Sequence, residues 1–182
     1  MFCVVDLGFT PRLAIEVEDG GEIRLDKIRS LIEASKYSIH DLSRCQAKFE
    51  GEHFRLNMPF ELGIDYGCRQ YFGSGRENKR FLILEEEKYR YQAALSDISG
   101  SDIQAHNADF QIAVKKVRNW LVNVTGADPL GPSLIFSHYF TFQEWYWERM
   151  KSLGASDADI KEYPTSEMLA AMHMWIEAGR PD

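Results

Sequence analysis

The sequence predicts an α/β protein with a doubly wound, mostly parallel sheet and a C-terminal helical extension. Three observations carry this prediction. Arg80 to Leu84 is a largely apolar run of the kind found in strands that are buried on both faces. Segments with strand and helix patterns alternate through the earlier part of the chain, which is typical of parallel sheets. After Thr125 the strand patterns stop and helical patterns follow.

The composition is that of a globular chain without a general basic character. Of the 182 residues, 45% are hydrophobic and 13% aromatic, which is enough for a substantial core. The formal net charge of −7 argues against binding to nucleic-acid backbones. No apolar run is long enough to span a bilayer and no signal-peptide pattern opens the chain, so we expect a cytoplasmic protein without membrane partners.

The cysteines and histidines indicate neither a disulfide framework nor a metal site. The cysteines are Cys3, Cys45 and Cys68. Their odd number and unpaired spacing predict buried thiols in a reducing compartment. The histidines are His40, His53, His106, His138 and His173. They have no metal-ligand spacing, so we expect no metal, and we interpret His40 as a packed, hydrogen-bonded side chain.

The elements before the buried strand begin with a strand, a turn and a helix. Arg12 to Val17 alternates between polar and apolar residues and is predicted as a strand, ended by the turn-forming run Glu18 to Gly21. Glu22 to Ser35 places apolar residues on one helical face, which predicts an amphipathic helix. Tyr37 to Ser43 follows as a strand and completes the right-handed crossover unit of a parallel sheet. Phe2 to Val5 fits either a short strand or the end of a helix.

A polar loop from Arg44 to Leu56 leads from this strand into the next helix. The helix is predicted from Pro59 to Phe72, because proline is tolerated in a first helical turn and Gly73 can end the helix. A strand is the competing interpretation, since apolar residues also alternate within the segment. The proline and the length of the pattern favour the helix.

The buried strand is followed by further segments of the same alternation. Glu85 to Glu87 is predicted as its solvated end, and Tyr89 to Ile98 as a short helix closed by a Ser-Gly pair. Asp102 to His106 is predicted as the last strand. Asn107 is positioned to cap a helix that runs to Val124 and has the clearest apolar face in the chain.

The sequence divides into an α/β domain over residues 1–124, a linker over residues 125–136 and a helical extension over residues 137–182. The linker is predicted from the glycines and prolines between Gly126 and Pro132. The extension is predicted to hold an aromatic-rich helix around Trp145, a single turn at Ala158 to Tyr163, and a last helix capped by Thr165.

Four motifs carry a resemblance to known proteins: Tyr37 to Arg44, Phe54 to Gly63, Tyr89 to Gln92, and Ser96 to Ile103. Together they resemble a widespread set of uncharacterised bacterial proteins, related to the TIR domain and to nucleoside 2-deoxyribosyltransferases. The resemblance extends from Phe2 to Asn123. It implies a flavodoxin-like, nucleotide-binding fold in which a glutamate acts at the anomeric carbon of a ribose.

The resemblance places Glu61 at the position of that glutamate, and it implies NAD or a related nucleoside as a substrate, with no separate cofactor. A carboxylate in a first helical turn is kept ionised by the helix dipole, which suits an attack on an oxocarbenium-like centre. Asp41, at the carboxyl end of its strand, is the candidate for binding ribose hydroxyls or for acid–base work. Four polar residues are candidates for orienting the phosphate or the base: Ser43, Arg44, Arg55 and Asn57.

Plainer interpretations stand beside these. A first-turn glutamate often only stabilises its helix, and Asp41 with Ser43 can simply turn the chain. A non-catalytic TIR-like module in bacterial signalling or defence is the alternative function. A homotypic scaffold, assembled through the aromatic C-terminal region, is a third.

Proteins of this kind begin with a strand and a helix before the segment that Phe2 to Phe9 matches. We therefore expect the first strand of the sheet to be lacking from this sequence. Three explanations are open: a start codon placed too far downstream, loss of the element, or its supply by a partner. A sheet with an exposed edge favours a homo-oligomer.

Overall fold

A computed structural model describes residues 1–14, 21–45, 47, 49–52, 55–73 and 75–181. These residues form an α/β structure with seven α-helices and one open, all-parallel sheet of three strands. The α/β class, the parallel sheet and the C-terminal helices are as the sequence predicts.

The helices are α1 (Phe2–Asp6), α2 (Arg24–Ala34), α3 (Asn57–Tyr71), α4 (Phe110–Thr125), α5 (Pro132–Ser152), α6 (Asp157–Glu162) and α7 (Thr165–Glu177). The strands are β1 (Tyr37–Asp41), β2 (Arg80–Glu85) and β3 (Ile103–Ala105). Two short 3-10 helices occupy Arg90–Ala93 and Ser96–Ile98.

The chain forms two compact units. The α/β unit is Asp19–Trp120, and the helical unit combines Met1–Glu18 with Leu121–Asp182. The first residues thus group with the C-terminal helices, whereas the sequence assigned them to the α/β domain. The physical reason is aromatic packing, which no local pattern reveals.

The sheet has the order β1-β2-β3, and its strands end at one edge. Asp41 at the end of β1 pairs in register with Leu84 of β2. Glu85 at the end of β2 pairs in register with Ala105 of β3. The residues at and just after these three strand ends are therefore gathered along the carboxyl edge, where open α/β sheets bind their ligands.

One hydrophobic cluster packs around the residues that follow β1 at this edge. It contains the buried side chains of Leu42, Cys45, Leu62, Ile83 and Tyr91. Leu42 directly follows β1 and Leu62 lies on α3, so the cluster holds these two elements together. Truncating a buried leucine of this kind typically costs about 2–5 kcal/mol.

A buried triad of His40, Asp65 and Lys79 ties α2, β1, α3 and the start of β2 together. Asp65 Oδ2 lies 3.1 Å from His40 Nε2, and Asp65 Oδ1 lies 3.0 Å from Lys79 Nζ. Lys79 also donates to the carbonyl oxygens of Ile32 and Ser35 at the end of α2. Burial opposes the charge of Asp65, but hydrogen bonds from His40 and Lys79 outweigh it and lower the pKa of Asp65. The interpretation of His40 as packed and hydrogen-bonded is confirmed.

The helical unit is built around an aromatic core. Phe142 and Trp175 are fully buried, and the Phe2 ring lies 5.5 Å from Phe142 and 6.0 Å from Trp175, centroid to centroid. These contacts join α1 to α5 and α7.

A buried carboxylate reinforces the same unit. Asp6 accepts a hydrogen bond from His138 Nδ1 at 2.9 Å and another from Arg180 Nε at 3.1 Å. The α1 helix is thereby fixed at its end, which settles the alternatives left open for Phe2 to Val5 in favour of a helix.

Two sequence predictions near the N-terminus are not met by the described residues. Residues 12–14 are not in a strand. Residues 15–17 of the same predicted strand, and 18–20 of the turn after it, lie outside the described residues. The crossover unit before β1 is therefore not seen in the part of the chain that the structure describes. The helix after it is confirmed, with the shorter bounds of α2.

Several predicted assignments after β1 differ from the structure. The segment from Tyr89 to Ile98, predicted as one short helix, forms the two short 3-10 helices. Asn107 is not the cap of α4, because it has a φ of 54° and Asp109 accepts the hydrogen bonds from the first backbone N–H groups. The linker is also shorter than predicted, since α5 begins at Pro132, where proline lacks only an N–H that would have no partner.

Candidate functional site

Three polar side chains from two strand ends form a hydrogen-bonded group, which we call the edge cluster: Asp41, Ser43 and His106. Asp41 Oδ1 accepts from the Ser43 backbone N–H at 3.0 Å and from the Ser43 hydroxyl at 2.5 Å. His106 Nε2 lies 2.8 Å from Ser43 Oγ and 3.5 Å from Asp41 Oδ1. The cluster joins the carboxyl end of β1 to that of β3.

The number of protons fixes the direction of these bonds. An ionised carboxylate only accepts, so the single hydroxyl proton of Ser43 goes to Asp41. His106 Nε2 must then carry a proton and donate it to Ser43 Oγ. This is the reverse of a serine–histidine catalytic pair, in which the imidazole accepts the serine proton. The cluster therefore orients Asp41 and does not activate Ser43 as a nucleophile.

The exposure of the cluster is graded. The His106 side chain is 10% exposed and the Asp41 side chain is 51% exposed. All the hydrogen bonds that Asp41 makes with described residues end on Oδ1. The second carboxylate oxygen, Oδ2, keeps its acceptor capacity for a ligand.

A buried ion pair sits directly behind the cluster. Arg90 donates to Glu85 at 2.7 Å, to Glu86 at 3.3 Å and to the Ser43 carbonyl oxygen at 2.5 Å. Burial disfavours the Arg90 charge, but the hydrogen bond and the charge of Glu85, with the charge of Glu86, outweigh it and raise the pKa of Arg90. Arg90 thus fixes the backbone of Ser43 while it neutralises Glu85.

The prediction that Glu85 to Glu87 forms a solvated strand end is wrong for Glu85. Its carboxylate is fully buried and also accepts the backbone N–H of Glu86 at 2.7 Å. A buried carboxylate requires a partner, and Arg90 supplies it. Glu87 is exposed, as predicted.

The cysteine beside the cluster is not a candidate nucleophile. Burial raises the pKa of the Cys45 thiol to about 11, and the charges of Glu85 and Asp41 act in the same direction. Cys3, Cys45 and Cys68 are all free and buried, so the prediction of buried thiols is confirmed.

Glu61 lies on α3, but not in its first turn. The helix begins at Asn57, which makes Glu61 its fifth residue. The predicted start at Pro59 is wrong: Pro59 is the third residue of the helix and not its first. The first backbone N–H groups of a helix have no intrahelical partner, so a proline at the third position is tolerated as well as one at the first. The helix dipole consequently acts less strongly on Glu61 than a first-turn position implies.

Glu61 is partly buried, and its carboxylate forms no hydrogen bond or ion pair with the residues that the structure describes. It is not part of the edge cluster. Leu62 next to it and Leu42 next to Asp41 belong to one hydrophobic cluster, so the two carboxylates are carried by elements that pack together.

Of the remaining predicted site residues, Arg44 and Arg55 lie on the connection from β1 to α3, and Asn57 is the first residue of α3. The Arg55 N–H donates to the Arg44 carbonyl oxygen at 2.9 Å, which joins the two ends of the loop. Both arginines and Asn57 are exposed. The structure therefore brings Asp41 and Ser43 into contact. It leaves Arg44 and Arg55 on the loop and Asn57 at the start of α3. His53 and Phe54, in the same loop, lie outside the described residues.

Sequence reasoning missed three residues of this edge: Glu85, Arg90 and His106. His106 had a usable signal, because it ends the predicted last strand, and the ends of parallel strands meet at one edge. Glu85 and Arg90 had a weaker signal, since a glutamate that ends a largely apolar, buried strand requires a nearby cation.

Within the described ranges, no group of three or more histidine, cysteine, aspartate or glutamate side chains is placed to hold a metal ion. In the same ranges, no helix combines the length and the apolar character needed to cross a membrane.

No protein-family model, curated protein or solved structure matches this chain. The family resemblance of the segments Tyr37 to Arg44 and Phe54 to Gly63 therefore stays a prediction.

Proposed function

We propose that the carboxyl edge of the sheet binds a nucleotide or nucleoside such as NAD, and that the protein cleaves its N-glycosidic bond. Glu61 is the catalytic carboxylate in this proposal, and Asp41 binds the sugar. The fold is of the doubly wound, flavodoxin-like type. The observation that carries the proposal is the edge cluster, which presents an oriented and exposed carboxylate where open α/β sheets bind ligands.

The chemistry requires a carboxylate whose charge is still available. Cleavage of an N-glycosidic bond develops positive charge on the ribose, and a nearby carboxylate stabilises that charge or attacks the anomeric carbon. Glu61 suits this role because no described side chain neutralises it and because partial burial strengthens its field. Asp65, on the same helix, is already paired with Lys79 and is fully buried.

Apolar side chains near these carboxylates offer surfaces for a base. Leu56 and Phe60 are both 58% exposed, and Phe60 directly precedes Glu61. Tyr89 follows β2 at the same edge of the sheet, is exposed, and has a φ of 70°. A non-glycine residue in this conformation is uncommon and costs about 1–3 kcal/mol, and such strain is concentrated at functional sites. Stacking on exposed aromatic rings would hold a base.

The phosphates are assigned to the loop before α3. Arg44 and Arg55 are exposed there, and α3 begins with no side-chain cap and no acidic residue in its first turn. Positive side chains and uncapped N–H groups both favour an anion. At α4, in contrast, Asp109 already accepts from the first N–H groups.

A non-catalytic nucleotide-binding module, of the kind used in signalling or defence, is the second candidate. One observation favours it: Glu61 lies outside the edge cluster, in the second turn of α3. A binding site at the edge cluster would remain without any chemistry by Glu61.

Release of free base distinguishes the two candidates. The wild-type protein, Glu61→Gln and the control Glu77→Gln are incubated with NAD and with deoxynucleosides, and the base is separated by chromatography. Glu77 is an exposed glutamate in the turn before β2, at the opposite edge of the sheet. We expect Glu61→Gln to reduce release by about 100-fold or more, and Glu77→Gln to leave it unchanged.

Release that persists in Glu61→Gln would contradict the assigned role of Glu61. Saturable binding of NAD without release by the wild type would favour the second candidate. If the wild type neither binds NAD nor releases base, both candidate functions are excluded.

A further inference from the structure

We propose that Asp41 is a pre-oriented acceptor for the vicinal 2′,3′-diol of a ribose, and that the site therefore selects ribonucleotides over 2′-deoxyribonucleotides. Ser43 and His106 are positioning residues that act through Asp41. The inference rests on the proposed function for the location of the ligand, and it adds the sugar class, which the sequence left open between NAD and deoxynucleosides.

The two carboxylate oxygens of Asp41 differ in their hydrogen bonding. Oδ1 already accepts two hydrogen bonds from Ser43, one from its backbone N–H and one from its hydroxyl. A carboxylate oxygen has two lone pairs, so Oδ1 is saturated. Oδ2 has no partner among the described residues and can accept two donors. Two adjacent sugar hydroxyls supply that pair of donors.

The orientation of the Asp41 side chain is set by the protein without a ligand. His106 Nε2 donates to the Ser43 hydroxyl oxygen, so the hydroxyl proton of Ser43 points toward Asp41. Arg90 holds the Ser43 carbonyl oxygen from the other side. His106 and Glu85 are both buried, so the groups that position the half-exposed Asp41 carboxylate are themselves packed inside the protein. A ligand that binds Oδ2 does not have to order the side chain, which improves affinity.

The negative charge of the edge cluster disfavours a phosphate at Asp41 Oδ2. Asp41, Glu85 and Glu86 are three carboxylates, and Arg90 is the cation paired with the last two. Because Arg90 is already paired with these two carboxylates and no described lysine or arginine is paired with Asp41, a phosphate at Oδ2 would meet an uncompensated negative charge. Uncharged hydroxyl donors remain the suitable ligand for Oδ2.

The consequence is a preference that can be measured. A 2′-deoxy ligand lacks one of the two donors and leaves a lone pair of an ionised carboxylate without a partner. A hydrogen bond to a charged group is worth enough for about a tenfold or greater difference in Kd.

The test is calorimetric titration of the full-length protein with AMP, 2′-deoxy-AMP and NAD. We expect AMP to bind about tenfold or more tightly than 2′-deoxy-AMP. Equal affinities for the two nucleotides, or binding of NAD without either of them, would overturn the diol assignment and leave the proposed function standing. No binding of any of the three would overturn both.

The positioning role is tested by Ser43→Ala, with Ser30→Ala as the control because Ser30 is an exposed serine on α2. Without the Ser43 hydroxyl, Asp41 can rotate and His106 loses its acceptor. We expect the ratio of the AMP and 2′-deoxy-AMP affinities to fall toward one, mainly through weaker AMP binding. An unchanged ratio in Ser43→Ala would contradict the role of Ser43. Equal weakening of both ligands would indicate a purely structural effect and would contradict it as well.

Discussion

Two neighbouring residues of β1 take part in histidine–carboxylate contacts of opposite character. His40 belongs to the buried triad with Asp65 and Lys79, and Asp41 belongs to the edge cluster with Ser43 and His106. Successive side chains of a strand point to opposite faces, so adjacent residues can serve separate environments. In the buried triad every charge is matched inside the protein. In the edge cluster the carboxylate is oriented by neutral donors and remains half exposed.

The contrast teaches how to separate a structural carboxylate from a ligand-binding one. The Lys79 ammonium group pairs with Asp65 and donates to two carbonyl oxygens at the end of α2, which is typical of a group that stabilises the fold. Among the described residues no lysine or arginine is paired with Asp41, and its long-range contact is with His106 Nε2 at 3.5 Å. The distinction therefore rests on which carboxylate keeps unused acceptor capacity, and not on residue type.

The largest expected effect comes from breaking the buried triad. Lys79→Met leaves Asp65 as an uncompensated buried carboxylate, which typically costs about 3–5 kcal/mol. We expect urea denaturation to show a loss of that order in the free energy of unfolding. Lys115→Met is the matched control, because Lys115 is an exposed residue of α4, and it should change stability by less than about 0.5 kcal/mol. A loss below about 1 kcal/mol for Lys79→Met would mean that the triad is not a stabilising contact.

Acid should remove the contribution of Asp65 in a defined direction. Hydrogen bonds from His40 and Lys79 overcome the effect of burial, so the pKa of Asp65 in the folded protein lies below its ordinary value. The resulting stability is fully present above the pKa of an unfolded aspartate, about 3.9, and is lost as the pH falls through the folded pKa. The difference in unfolding free energy between the wild type and Asp65→Asn should therefore stay constant from about pH 7 to about pH 4 and shrink only as the pH is lowered further.

The exposed Asp97→Asn serves as the reference for this pH series. A difference between the wild type and Asp65→Asn that grows on acidification would contradict the sign of the Asp65 shift.

Much of the fold was predictable because its signals are local. The apolar run that becomes β2 and the helical face that becomes α4 are read directly from consecutive residues. The strand predicted from Tyr37 to Ser43 is present as β1, although it ends two residues earlier, at Asp41. These elements were sufficient to place Asp41 and Ser43 at the carboxyl edge.

The rest depends on contacts between residues that are distant in the sequence. The strand-end position of His106 indicated the edge of the sheet, but its hydrogen bond to Ser43 spans 63 residues and no local pattern predicts that bond. The run of three glutamates indicated solvent, and only the nearby guanidinium of Arg90 makes the burial of Glu85 acceptable. Likewise, the grouping of α1 with the C-terminal helices depends on Phe2 and Asp6 meeting residues more than a hundred positions away.

The smallest expected effect on stability, and the sharpest on function, comes from Asp41→Asn. The side chain is half exposed, so losing its charge-assisted bonds to Ser43 should change the free energy of unfolding by about 1 kcal/mol. Calorimetric titration of NAD into the wild type and into this variant tests the central claim that the edge cluster binds the ligand. We predict saturable binding by the wild type and a Kd at least about tenfold higher for folded Asp41→Asn. Equal affinity in the two proteins, or no saturable binding by the wild type, would contradict it.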